Sequence, residues 1–87
     1  MSTSKLCHVL VVINGTTEDV ERVIELRNFD KEAFMAQLDV PKQSDPEMLD
    51  RYVVGPDDVS FVKDYLTEPV TFDFSNLGYW IEAVTRD

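Results

Sequence analysis

Residues 6–15 read Leu6-Cys7-His8-Val9-Leu10-Val11-Val12-Ile13-Asn14-Gly15, and this stretch decides the fold. Its β-branched, apolar run is too continuous for a half-exposed strand, so it predicts a buried strand in the middle of a sheet. Asn14-Gly15 is a strong hairpin signal, which makes the next element an antiparallel neighbour. Thr16 to Asp19 extends that turn.

Working outward, residues 20–27 (Val-Glu-Arg-Val-Ile-Glu-Leu-Arg) admit two readings. As a strand they place Val20, Ile24 and Leu26 inward and Glu21, Val23 and Glu25 outward. As a helix they align Val20, Val23 and Ile24 behind an upstream threonine cap. The Asn-Gly turn favours the strand. Residues 30–38 predict a helix, with Asp30 as N-cap and Phe34, Met35 and Leu38 at helical spacing, stopping before Pro41. A polar loop, 42–50, leads to a short strand at 51–54. Gly55-Pro56-Asp57-Asp58 opens a second helix carrying Val59, Val62 and Leu66, with Phe61 and Tyr65 beside them, and Thr67-Glu68-Pro69 ends it.

Residues 70–74 alternate, with Val70, Phe72 and Phe74 on one side and Thr71 and Asp73 on the other. Ser75 to Gly78 is a turn, and 79–85 form a last strand with Tyr79, Ile81 and Ala83 opposite Trp80, Glu82 and Val84. The expected fold is therefore α+β: an antiparallel sheet of about four strands, one or two short helices on one face, and the other face open. The chain, 1–87, is expected to form a single domain.

Charge bounds the function. The chain has 17 Asp and Glu against 8 Lys and Arg, a net charge of −9 spread along its length. Phosphate backbones and anionic membranes would repel such a surface, so neither nucleic acid nor membrane is an expected partner. A basic protein is favoured, although acidity also serves plain solubility. With one cysteine, Cys7, no internal disulfide can form. The apolar run at 9–13 is too short for a signal or a span, so a cytoplasmic location is expected.

Catalytic and metal chemistry finds little support. Cys7 and His8 are adjacent on a strand and point to opposite faces, and His8 is the sole histidine. Asp45, Glu47 and Asp50 lack the glycine and the closing glutamate of a calcium loop. No glycine-rich phosphate loop occurs, so no metal, no cofactor and no enzyme activity are expected. The informative feature is the outer sheet face. If 70–74 and 79–85 pair as a hairpin, Thr71, Asp73, Trp80 and Glu82 share one surface. A tryptophan among acids, away from the core, has the character of an interface anchor. The competing assignment puts Trp80 in the core and Tyr79 outside.

The order of elements carries a resemblance. An apolar opening strand is followed by Thr17-Glu18-Asp19 and a strand ending near Asn28-Phe29-Asp30. A helix closes with Leu38-Asp39-Val40-Pro41, and Tyr52-Val53-Val54 leads to a helix ending Asp64-Tyr65-Leu66. Then come Val70-Thr71-Phe72-Asp73 and a final strand from Tyr79-Trp80 to Thr85-Arg86-Asp87. Over nearly its whole length this pattern resembles the cloacin-type immunity proteins, and it is similar to those paired with pyocins and contact-dependent toxins. The resemblance, which includes the proteins guarding producers of ribosomal-RNA-cleaving colicins, implies an acidic inhibitor whose partner is a cognate basic nuclease toxin, an RNase by expectation, bound and neutralised in the producing cell. It also implies that Arg51, just before the aromatic residue of the third strand, helps to select the toxin. Asp58 stands where the family has a tryptophan, the 75–78 turn is about two residues longer, and the glycine-rich stretch before the first helix is trimmed. The expected interface is Glu21, Glu25, Arg51, Asp73, Trp80 and Glu82, with Trp80 as anchor, the acids steering and Arg51 discriminating. A small regulatory or scaffold domain using the same face is the alternative.

Overall fold

The computed structural model describes residues 5–86. Four strands form one antiparallel sheet: β1 (Lys5–Asn14), β2 (Val20–Glu25), β3 (Tyr52–Val53) and β4 (Leu77–Arg86), in the order β2-β1-β4-β3. Helix α1 (Lys31–Gln37) and a short helix α2 (Val59–Val62), flanked by 3-10 turns at Pro56–Asp58 and Lys63–Tyr65, complete it. The expected α+β class holds, and the expected central strand is β1. Residues 20–25 are a strand, not a helix.

The two ten-residue strands dominate. β1 and β4 pair along their whole length, from Lys5 opposite Arg86 to Asn14 opposite Leu77. Because antiparallel partners share a face, this register sorts every side chain. Leu10, Val12, Ile24, Tyr79 and Ile81 face inward and join Phe34, Met35 and Val62 from the helices in one core. Both helices thus cover the same side. Asp30 caps α1 by accepting from the Ala33 amide, as the sequence predicts. Phe34, fully buried, meets Phe29, Phe61 and Tyr65 with ring centroids 4.6–4.8 Å apart and tilted or edge-on, which ties α1 to the segment before it and to α2 and the 3-10 turn that follows α2. His8 closes this inner layer. It stacks on Phe29 at 4.2 Å, and its Nε2 donates to the Met48 carbonyl, so it is a packed structural histidine.

Two expectations need correction. Residues 70–74 form no strand, and no hairpin joins them to β4. β4 takes its ladder partners from β1 over ten residues and from β3 at Trp80 and Ile81, and 70–74 supplies none. The alternation of 70–74 instead seats side chains: Phe72 and Phe74 pack on the Tyr79 ring at 4.7 and 5.1 Å, and the Asp73 amide donates to the Tyr79 hydroxyl. The second correction concerns Val20. A bulge between Val12 and Ile13 sets Val20 opposite Ile13, which turns Val20 to the outer face, where it is exposed.

The β1–β2 turn also departs from the two-residue form that Asn-Gly most often makes. Asn14 Oδ1 accepts the amides of Thr16 and Thr17, the Asn14 carbonyl accepts that of Glu18, and the left-handed residue is Glu18 at φ 64°. Gly15 serves a different need. Its amide bonds the Asn76 carbonyl, and a Cβ there would lie 2.8 Å from that oxygen. The glycine lets the β1–β2 turn dock against the turn that precedes β4.

Candidate functional site

The sheet register builds the site. On the outer face Val23 lies opposite Val11, Val11 opposite Trp80, and Trp80 opposite Val53. Four apolar side chains, one from each strand, thus form a continuous row across the whole sheet. Val11 in the middle is buried, Trp80 is half-buried, and the ends are open, with Val23 49% and Val53 76% exposed. The helices pack on the opposite side, and the ends of this row, Val23 and Val53, lie open. An open sheet face normally carries polar side chains.

The adjacent row is charged. Glu25 lies opposite Val9, Val9 opposite Glu82, and Arg51 follows just before β3. On the other flank, Glu21 occupies the bulge beside Val20, and both are exposed. The result is an apolar stripe bordered on one side by Glu25 and Glu82 and continued on the other by Ile13 and Val20, with Glu21 at the bulge, an apolar centre with charge at its edge.

Trp80, Glu82 and Arg51 are linked. The Trp80 indole N–H donates to Glu82 Oε1 at 3.1 Å. Arg51 Nε reaches the same oxygen at 2.7 Å, and its guanidinium carbon lies 4.9 Å from the indole centroid. Trp80 therefore faces out with its polar atom satisfied, and Tyr79 is the core residue. Five of the six expected interface residues, Glu21, Glu25, Arg51, Trp80 and Glu82, come together on this face.

Asp73 does not. It sits on the inner side, near the Tyr79 hydroxyl, and its carboxylate holds the turn into β4 by accepting from the Ser75 amide and the Asn76 side chain. Its assignment to the face depended on the hairpin that the fold lacks. Conversely, Val9, Val11 and Val53 were missed as parts of the face, whereas Val23 is outward as the strand reading has it. Inside an unbroken apolar run such as 9–13, nothing local says which valines point away from the helices, and only the pairing register does.

Other chemistry is sparse. Among the described residues no group of three or more His, Cys, Asp or Glu is placed to hold a metal ion. One surface groove is lined by Arg27, Lys63 and Pro69, another by Asp45, Asp50 and Tyr52, and neither includes a residue of the outer rows. In the second groove the Tyr52 hydroxyl donates to Asp45, whose carboxylate also accepts the Leu49 and Asp50 amides. The tyrosine bond, reinforced by the Leu49 amide, holds the Asp45 carboxyl below the usual range. The same bond keeps the Tyr52 phenol protonated, with its pKa pushed up to about 12. This cluster organises the loop before β3 and thereby sets where Arg51 emerges. No described helix is long and apolar enough to cross a membrane.

No curated protein and no solved structure shows a significant match to the chain. The model of a family described as a domain of unknown function, DUF7683, matches residues 7–82, and the chain belongs to that family.

Proposed function

We propose that the protein is an inhibitor of the immunity type, which uses the outer sheet face to bind and neutralise a cognate basic nuclease toxin, an RNase by preference, in the cytoplasm of the producing cell. The observation that carries this reading is the row Val23-Val11-Trp80-Val53 bordered by Glu21, Glu25 and Glu82. Apolar side chains on an open sheet face are costly in water unless a partner covers them. The glutamates and the net charge of −9 select a basic partner, and a nuclease must present cations to bind phosphates. The resemblance to cloacin-type immunity proteins supports the same class. The chain itself does no catalysis in this reading. It occupies the toxin's basic surface and excludes substrate from it.

Trp80 is the anchor, because it is central in the row and carries the largest apolar area there. Trp80→Ala is expected to weaken binding to the toxin domain by about 2 kcal/mol or more while the fold persists. Calorimetric titration of the two proteins measures this, with circular dichroism as the folding control. Unchanged affinity would remove Trp80, and with it this face, from the interface.

A further inference from the structure

The Trp80–Glu82–Arg51 arrangement has two parts of different rigidity. Trp80 and Glu82 stand on β4, which pairs with β1 along its whole length and with β3 at Trp80 and Ile81, and the indole N–H fixes the carboxylate through the bond to Oε1. Glu82 is 26% exposed at its side chain. Arg51 lies outside the two-residue strand β3 and its side chain is 65% exposed. Its contacts through the guanidinium are the stack on the indole and the ion pair with Glu82. The firm part is a flat aromatic surface with a carboxylate at its edge, and the loose part is the cation resting on it.

We infer that the Trp80 face and the Glu82 carboxylate form a seat for an arginine of the partner protein, and that Arg51 is the chain's own occupant, displaced on binding. The geometry suits a guanidinium. A planar cation can stack on the indole and donate in its own plane to the carboxylate, whereas a lysine ammonium is a point charge with no plane to stack. Charge complementarity points the same way: Glu25 shares the row with Glu82 across Val9, so a cation arriving over this face meets more than one acid. Arg51 then selects by competition. A partner whose arginine is badly placed cannot displace it, and its positive charge repels a cation that fails to take the seat. This deepens the proposal that the face docks a basic protein, but the seat can be tested without any partner.

The chain has one tryptophan, so a 15N-labelled sample gives one indole N–H signal. Argininamide is titrated into the full chain and into the Arg51→Ala and Arg51→Gln variants, with sodium chloride and lysinamide at matched ionic strength as controls. Argininamide should shift the Trp80 indole signal saturably in both variants. In the unaltered chain half-saturation should need about three- to tenfold more, the masking expected of an exposed ion pair with a stacked guanidinium. Adding Glu82→Gln to Arg51→Ala should abolish the response. The inference is overturned if the variants respond no better than the unaltered chain, if matched salt or lysinamide produces the same shift, or if the response survives Glu82→Gln. Such a failure would leave the toxin-binding proposal standing. A working seat in a chain that captures no nuclease would instead overturn the partner class alone.

Discussion

Asp45 and Tyr52 show how a single bond writes a pH dependence. The Asp45 carboxyl is lowered from 3.8, so its contribution to stability is present above that value and lost as pH falls through the lower folded value. The Tyr52 phenol is raised from 10.0 to about 12, so its contribution is intact below 10.0 and lost as pH rises toward about 12. Tyr52→Phe removes the larger cause of the Asp45 shift, and the carboxyl pKa should climb back toward 3.8. Carbon-detected NMR titration of Asp45 reads this directly, and an unchanged value would show that the backbone amides alone hold the carboxylate. Residues 42–50 read in sequence only as a polar loop. That Asp45 would gather two amides and a phenol depends on the chain reversing at Met48, a non-glycine residue at φ 51°, and no local pattern signals that.

At the scale of elements, Gly15 offers the sharpest test of the packing between turns. Gly15→Ala places a Cβ 2.8 Å from a backbone oxygen that no side-chain rotation can move. Stability should fall by roughly 1–3 kcal/mol, the usual cost of forced overpacking. Urea denaturation measures it, and a neutral substitution would mean the two turns do not touch in solution. The same elements show what sequence could and could not reveal. β1, α1 and β4 were legible because each has a strong period or a cap: a β-branched run, Asp30 before Phe34 and Met35, and strict alternation from Tyr79. Residues 70–74 misled because alternation reports which side chains share a face, not which strand supplies the hydrogen bonds. Val70 and Phe72 do pack against the core, yet their backbone joins no ladder. The site divides in the same way. Glu21, Val23, Glu25, Trp80 and Glu82 follow from parity along their own strands, while Asp73 failed because it needed a pairing, and Val9, Val11 and Val53 stayed hidden because they needed one too.

For the molecule as a whole, a net charge of −9 acts at longer range than any contact. With a basic partner, the association rate should fall steeply as salt rises, since screening shortens the reach of the field to about 8 Å at physiological ionic strength. Trp80→Ala should act mainly on dissociation, because the row makes its contacts only after encounter. Stopped-flow association at several salt concentrations separates the two effects, and a rate indifferent to salt would argue against steering. Whether the open sheet face neutralises a basic nuclease is read by co-expression. The tagged chain, unaltered or carrying Trp80→Ala, is produced with the protein encoded beside it, and the eluate is weighed and assayed for RNA cleavage. A one-to-one complex is expected with a basic protein that is lethal when expressed alone, silent with the unaltered chain, and active again with the Trp80→Ala variant. A chain that elutes alone beside a harmless neighbour, or a nuclease silenced equally well by the variant, would contradict it.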